Sequence, residues 1–153
     1  METLDRTQND RVNSISEKNL VTIPIVYVFD KNYAAYSCVS AISALQHATE
    51  DIVFHAVTDH TDDQAEKIFL DELNAHGQTV KTYKANLGTE FVVGLISHSA
   101  YLKLSIPNLV EEKKVLYVDS DTIFKDCPSR AFGIDLEDNV LGGVCDYSHF
   151  PQH

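Results

Sequence analysis

Short apolar runs alternate with segments of helical period along this chain, and few folds accommodate that alternation. The first run, Ile23 to Phe29, is rich in β-branched and aromatic residues and has the length of a buried strand. Similar runs predict four more strands: Ile52 to Val57, Val80 to Tyr83, Val115 to Val118 and Val140 to Val144. Strands that alternate with helices favour a mostly parallel sheet covered on both faces, so the sequence predicts an α/β fold.

The segments between the strands predict helices. After the first strand, four apolar residues share one face at helical spacing: Ala35, Val39, Ile42 and Leu45. A second helix begins at a T-x-x-Q capping box, Thr61 to Gln64. Its apolar face consists of Ala65, Ile68, Phe69 and Leu73. A short helix is predicted over Ser99 to Leu104, ending before Pro107.

The charge of the chain argues against two classes of partner. The chain has 153 residues, enough for one compact domain, and carries 23 acidic against 12 basic residues, for a formal net charge of -11. Nucleic-acid binding depends on clustered Lys and Arg, so the composition argues against a nucleic-acid partner. The same negative charge disfavours an anionic membrane surface.

The N-terminal residues 1–20 are polar and predict a flexible tail ahead of one domain over residues 21–153. They lack the apolar stretch of a secretory signal, and no apolar run approaches the roughly 20 residues of a membrane span. The three cysteines form no C-x-x-C pair, which is typical of free thiols in a reducing compartment. The sequence therefore predicts a cytoplasmic chain without a transmembrane segment.

The stretch KKVLYVDSDTIF, Lys113 to Phe124, ends a predicted strand on two carboxylates. Side chains two residues apart at a strand end point to the same side, so Asp119 and Asp121 can hold one divalent cation together. Hard oxygen ligands suit Mg²⁺ or Mn²⁺, which also bind substrate phosphates and water. An isolated acidic pair also serves as a helix cap or a solvated turn, and the triplet alone leaves both interpretations open. Ligands of parallel sheets bind beyond the carboxyl ends of the strands, where Asp30 also follows the first strand.

Three motifs together resemble glycosyltransferase family 8: DKNYAAYSCVSAIS after the first strand, AYLKLSIPNL in the middle and KVLYVDSDTIF around the acidic pair. That family comprises retaining transferases, among them bacterial lipopolysaccharide galactosyltransferases and glycogenin. The resemblance covers Pro24 to Tyr147. It implies a Rossmann-like GT-A nucleotide-sugar-binding fold, a UDP-hexose donor, and Mn²⁺ or Mg²⁺ at the D-x-D motif.

By position in the family motif, residues of the first motif match those that contact the uridine. Asp30 and Asn32 stand at the polar pair that binds uracil, and Tyr33 stands at the ring that stacks on the base. An Asp with an Asn supplies the acceptor and the donor that uracil N3–H and O4 require. Asx residues also make turns into helices, and a Tyr at a helix start is often a core aromatic, so both alternatives stay open.

The other motifs imply the diphosphate and sugar contacts. Lys103 stands where the family carries an Arg or Lys reaching the donor. Asp119 matches a residue shared between the sugar or ribose and the metal, and Asp121 matches the firm metal ligand. Asp146 matches an acidic position near the donor sugar and is the candidate catalytic residue. Ile123 argues against a phosphatase of the haloacid dehalogenase type, whose D-x-D motif wants Thr or Val there.

The resemblance implies transfer of galactose or glucose from a UDP-sugar to a saccharide acceptor with retention, in lipopolysaccharide or surface-glycan synthesis, with a location in the cytoplasm or at the inner membrane periphery. The family's C-terminal segment carries a further metal-binding His, a Lys near the diphosphate and the acceptor site. It has no match before His153, so an incomplete, C-terminally truncated GT-A domain is expected. Lys31 replaces an acidic residue of some relatives, which bears on specificity.

The alternative function is a non-catalytic UDP-sugar-binding fragment or an inactive remnant, with self-association through an exposed apolar edge.

Overall fold

Four parallel strands form the sheet, in the order β3-β2-β1-β4. The computed structural model describes residues 21–86 and 101–144 of the chain. The strands are β1 Ile23–Val28, β2 Ile52–Asp59, β3 Val80–Ala85 and β4 Leu116–Val118. The helices are α1 Ala34–His47, α2 Asp63–Ala75, α3 Ile106–Leu109 and α4 Ser129–Phe132, and a 3-10 turn, Leu102–Ser105, leads into α3.

The register places β1 between β2 and β4, with Tyr27 opposite both Ala56 and Val118. All three pairings in the sheet are parallel. The predicted Rossmann-like α/β fold with a parallel sheet is confirmed. Since parallel strands end at the same edge, the residues that follow β1, β2 and β4 lie near one another.

The larger core lies between the sheet and the helices α1 and α2. Aromatic rings dominate it: Tyr27 contacts Phe69 at 5.7 Å between ring centroids, and Phe29 contacts Phe69 at 5.0 Å. The apolar face predicted for α2 is confirmed, because Ala65, Phe69 and Leu73 are fully buried and Ile68 packs against them. Deep burial of this kind supplies most of the stability of a domain.

The opposite face of the sheet has a smaller core. Val26 and Val57 contribute from the strands, and the segment from the 3-10 turn to Val110 covers them with Leu102 and Ile106. This segment carries Lys103 on its exposed side. The packing of its apolar residues therefore fixes where the Lys103 backbone sits.

The face predicted for α1 is wrong in part: Leu45 packs against the larger core and Ile42 is half-buried, but the other two predicted residues are exposed. The helix turns small residues toward the sheet: Ala34, Ser37, Cys38, Ser40, Ala41, Ser43 and Ala44 are all buried. Val39 is 55% exposed, and Ala35 is also exposed. Small side chains let a helix lie close to its neighbours, so close approach rather than side-chain size decided which face is buried.

Two predicted helix boundaries are also corrected. The N-cap of α2 is Asp62, whose side chain accepts a hydrogen bond from Ala65 N, whereas Thr61 bonds to Asp59 instead of capping the helix. A carboxylate at this position satisfies an orphan N–H and complements the helix dipole. The helix predicted to end before Pro107 continues past it into α3, because a proline in the first helical turn needs no N–H partner. Residues 99 and 100 lie outside the described ranges.

The fifth strand, predicted over Val140–Val144, is absent: this segment pairs with no strand among the described residues. Its two glycines, Gly142 and Gly143, weaken an extended segment because they lose more backbone entropy on ordering than other residues. Strands β2 and β3 each run two residues beyond their predicted ends. The predicted tail over residues 1–20 lies outside the described ranges.

Candidate functional site

Two loops meet at the carboxyl edge of the sheet. One follows β1 and contains Asp30 to Tyr33, and the other follows β4 and is called here the acidic loop, residues 119–124. Because β1 and β4 are hydrogen-bonded parallel neighbours, these two loops start side by side. The structure thus brings the first and third sequence motifs to one place.

The loop after β1 is held by carboxylates. Asp30 Oδ1 accepts a hydrogen bond from Asn32 N at 2.8 Å, so the Asx turn considered as an alternative is present. Asp62 Oδ2 accepts a hydrogen bond from Lys31 N at 2.8 Å, while its other oxygen caps α2. Asp62 therefore ties this loop to the start of α2, a role that depends on tertiary contact and that sequence reasoning missed.

Two tyrosines stand exposed beside this loop. Tyr33 is 49% exposed and Tyr36 is 59% exposed, and their ring centroids lie 5.8 Å apart. The alternative that Tyr33 is a core aromatic is therefore wrong. Exposed rings of this kind offer a face on which a planar base can stack. Tyr36 was missed, although its position three residues after Tyr33 on a helix start was a usable signal.

Tyr117 links the predicted diphosphate residues. Its hydroxyl donates a hydrogen bond to Asp119 Oδ1 at 2.5 Å, and Lys103 Nζ lies 5.6 Å from the centroid of its ring. Burial raises the pKa of the Tyr117 hydroxyl, and the hydrogen bond to Asp119 raises it further, so the hydroxyl stays a donor at neutral pH. Lys103 and Asp119 thus share one neighbour, which sequence reasoning did not single out.

The acidic loop is bonded to α1 through alternate residues. Ser120 Oγ lies 2.8 Å from Ser37 Oγ, and Thr122 Oγ1 lies 3.1 Å from Ser40 Oγ. Phe124 N donates a hydrogen bond to Ser43 Oγ at 2.9 Å. Asp119, which precedes Ser120, and Asp121, which lies between Ser120 and Thr122, are both exposed to solvent.

The donor set at the acidic loop fits a hard divalent cation. Within the described residues no group of three or more His, Cys, Asp or Glu side chains converges on a metal position, so Asp119 and Asp121 offer only a partial shell. Mg²⁺ and Mn²⁺ are commonly held by one or two carboxylates and complete their shells with substrate phosphates and water. The edge also carries Asp30 and Asp59, and an anionic diphosphate would be repelled there unless a cation accompanied it.

Asp146, the candidate catalytic residue, lies outside the described residues. Among those that are described, no helix combines the length and apolar character needed to cross a bilayer.

The chain belongs to Glycosyl transferase family 8, whose model matches residues 24–153. Among solved structures, the galactosyltransferase LgtC in complex with donor and acceptor sugar analogs is similar, with a TM-score of 0.68 and 28% sequence identity over 76% of this chain and 44% of that chain. The apo structure of the bifunctional glycosyltransferase WbbM gives a TM-score of 0.61 and 25% identity over 77% of this chain and 22% of that chain. No curated protein matches the chain significantly. The chain thus spans 44% of the length of the galactosyltransferase.

Proposed function

We propose that this chain binds a UDP-hexose and transfers the hexose to a saccharide acceptor with retention of configuration. The observation that carries the proposal is the convergence of Lys103, Tyr117 and Asp119 at the carboxyl edge of the sheet, beside the loop that follows β1. Open α/β sheets bind nucleotides at that edge. Membership of family 8 supports the same function.

The loop after β1 is proposed to bind the uridine. Tyr33 would stack on uracil, with Tyr36 extending the aromatic surface. Asp30 already orders the turn through Asn32 N, and the amide side chain of Asn32 is exposed to solvent. A carboxylate and an amide together provide the acceptor and donor that uracil needs.

The acidic loop and Lys103 are proposed to bind the diphosphate. Asp119 and Asp121 would hold Mn²⁺ or Mg²⁺, which when bound neutralises charge on the diphosphate as the leaving group departs. Lys103 would contribute a positive charge toward the diphosphate, from a backbone held by the packed segment between the 3-10 turn and Val110 and with its Nζ near the Tyr117 ring. Tyr117 holds Asp119 in one orientation by donating a hydrogen bond from its hydroxyl.

Transfer breaks the bond between the anomeric carbon and a β-phosphate oxygen, and the acceptor hydroxyl forms the new bond and loses its proton. Retention requires that the acceptor approach on the face from which UDP leaves, or that a protein nucleophile act on the opposite face first. Asp146 is the proposed group near the donor sugar. Galactose and glucose are the proposed donor sugars, and a lipopolysaccharide or other surface glycan is the proposed acceptor class. The proposed place of action is the cytoplasm or the cytoplasmic side of the inner membrane.

A non-catalytic UDP-sugar-binding fragment is the second candidate. The specific observation in its favour is that the chain spans 44% of the galactosyltransferase. Donor turnover separates the two candidates. With Mn²⁺ and UDP-galactose or UDP-glucose, the proposal predicts release of UDP and, in the absence of acceptor, first appearance of the α-anomer of the free hexose by NMR. A folded chain that binds UDP but turns over neither donor would leave the binding fragment as the function.

Self-association is proposed to involve the apolar segment at residues 140–144. Val140 is 97% exposed, Leu141 is 74% exposed and Val144 is 98% exposed. Adjacent apolar side chains exposed to this extent favour contact between copies. Size-exclusion chromatography should show concentration-dependent self-association that Val140→Ser with Val144→Ser reduces. A monomer at every concentration would contradict this proposal.

A further inference from the structure

Helix α1 and the acidic loop are joined by a row of hydroxyl contacts, called here the α1 seam. Its members on the helix are Ser37, Ser40 and Ser43, and its members on the loop are Ser120, Thr122 and Phe124. The helix members recur every three residues and therefore lie on one face. The loop members recur every two residues, and a turn closed by Thr122 N donating to Asp119 O at 3.3 Å lies within them.

The serines of the seam are buried, Thr122 is exposed, and each hydroxyl of the seam has a partner. Ser37 and Ser40 are fully buried, Ser43 is 7% exposed and Ser120 is 8% exposed. A buried hydroxyl is costly unless it is hydrogen-bonded, and Ser is a weaker helix former than Ala. Three such residues on the face of α1 that meets the sheet and the acidic loop therefore indicate a requirement for their contacts rather than for core packing.

One chain of hydroxyls in the seam ends at a proposed metal ligand. Tyr27 Oη lies 2.9 Å from Ser40 Oγ, which lies 3.1 Å from Thr122 Oγ1. Thr122 Oγ1 in turn donates a hydrogen bond to the main-chain carbonyl of Asp119 at 2.8 Å. Tyr27 is a fully buried core residue, so this chain connects Asp119 to a fixed point of the fold.

The seam also determines which way the carboxylates face. With Ser120 and Thr122 turned toward α1, the intervening Asp121 and the preceding Asp119 are on the solvent side of the loop. The loop extends beyond β4, so its position depends on the seam rather than on sheet pairing. Binding a cation with two carboxylates requires that both be held in a narrow range of positions.

We propose that the α1 seam consists of positioning residues that hold Asp119 and Asp121 ready for a divalent cation and the diphosphate of the donor. This inference rests on the proposed function, since it concerns the same site. It assigns the serines of α1 a positioning role that follows neither from the D-x-D triplet nor from the fold class. The seam residues act through the two aspartates and not by contact with the donor.

Thr122 gives the sharpest test, because it is exposed and its replacement leaves the core intact. Thr122→Val keeps the shape and removes the hydroxyl, and Thr122→Ser restores the hydroxyl. Thr122→Val removes the hydroxyl contacts with Ser40 Oγ and Asp119 O. Calorimetric titration with UDP should show about 3- to 10-fold weaker Mn²⁺-dependent binding for this variant, on the order expected when a positioning hydroxyl is lost, and near wild-type binding for Thr122→Ser. Ser120→Ala, a second seam variant, should also weaken binding and raise the Mn²⁺ concentration needed for half-maximal binding.

Thr82→Val is the matched control, because Thr82 is an exposed threonine on β3, away from the acidic loop. It should bind UDP as the wild type does. Thermal unfolding of every variant checks that it is folded during titration, since a merely structural seam would lower the melting temperature without changing UDP affinity. Wild-type affinity in both seam variants would overturn the inference alone. Absence of Mn²⁺-dependent UDP binding in the wild type would overturn the proposed function and the inference with it.

Discussion

At the scale of single residues, Tyr117 contacts both a positively charged and a negatively charged side chain of the candidate site. Lys103 lies near the face of its ring, and Asp119 accepts a hydrogen bond from its hydroxyl. A ring face attracts a positive charge, and a neutral hydroxyl orients a carboxylate without cancelling its charge. The arrangement leaves Asp119 exposed to solvent, while the positive charge of Lys103 lies near the same ring.

Lys103 can be tested by removing its charge. Lys103→Gln should weaken UDP binding in Mn²⁺ by about 3- to 10-fold, which corresponds to one charge-assisted contact with a phosphate in a solvent-accessible site. Lys113→Gln makes the same change in net charge at another exposed lysine and should leave the affinity near that of the wild type. Equal affinities for the two variants in calorimetric titration would show that Lys103 does not reach the diphosphate.

The sequence motifs predicted those candidate residues whose chemical type is itself the signal: Asp30, Tyr33, Lys103 and the two aspartates of the acidic loop. Their binding roles stay predictions. The motifs did not identify Asp62 or Tyr117, whose roles arise from contacts across the fold. A tyrosine in an apolar strand resembles any other strand residue until its neighbours are known. The structure also shows that Asp30 forms the local turn, which the motif alone did not decide.

At the scale of elements, α1 is the part of the fold whose orientation the sequence did not predict. Its larger apolar residues suggested one face, but its alanines and serines are the buried ones. Periodicity of large apolar residues predicts the buried face when such residues make the contacts, as they do for α2. The fully buried residues of α1 are small and some of its contacts are hydrogen bonds, so the signal was weak.

A pair of identical substitutions tests the observed face of α1. Ala41→Leu inserts a large side chain at a fully buried position and should lower the free energy of unfolding by about 1–3 kcal/mol. Ala35→Leu makes the same change at an exposed position of the same helix and should alter it by no more than about 0.5 kcal/mol. Urea denaturation measures both. If Ala35→Leu were the more damaging variant, the originally predicted face would be the buried one.

The alternation of strands and helices predicted a parallel sheet, because that pattern favours parallel strands joined by crossover helices. The order β3-β2-β1-β4 was not predicted, since the pattern does not say which strands are neighbours. The segment at residues 140–144 failed as a strand because apolar composition alone does not supply a partner. An isolated extended segment has no neighbouring backbone to bond, and strand formation depends on that partner. The composition of this segment shows that it is apolar, but the strand predicted from that composition is wrong.

At the scale of the whole molecule, a cluster on the smaller core makes stability depend on pH. His55 is fully buried on β2, its Nδ1 lies 3.1 Å from Tyr83 Oη, and its Nε2 lies 3.4 Å from Glu112 Oε1 without the alignment of a hydrogen bond. Lys81 donates to the same Glu112 oxygen at 2.7 Å. Burial holds the pKa of His55 below its ordinary value of 6.5, against the attraction of Glu112.

Because the pKa of His55 is lower in the folded chain, the unfolded chain binds a proton that the folded chain does not. The free energy of unfolding should therefore fall as the pH drops through about 6.5 toward the folded pKa. The hydrogen bond from Lys81 lowers the pKa of Glu112, so a further loss should follow as that carboxylate is protonated in acid.

Urea denaturation at about pH 7.5 and about pH 5.5 measures the predicted loss of stability. His55→Gln should flatten the dependence between these two conditions, even if it lowers stability at both. His76→Gln changes an exposed histidine and should leave the dependence as it is in the wild type. If the His55→Gln protein kept the full wild-type pH dependence, groups other than His55 would cause the loss of stability at low pH.

The central claim is that the carboxyl edge of this sheet binds a metal and the diphosphate of a UDP-sugar through Asp119 and Asp121. The most direct test is calorimetric titration of the purified chain with UDP in Mn²⁺, repeated in EDTA and with Asp121→Ala. Asp138→Ala, a change at another exposed aspartate, serves as the matched control. We predict saturable binding that EDTA abolishes, that Asp121→Ala weakens by at least about 10-fold and that Asp138→Ala leaves unchanged. No binding by a chain shown to be folded, or binding indifferent to both Mn²⁺ and Asp121, would contradict the claim.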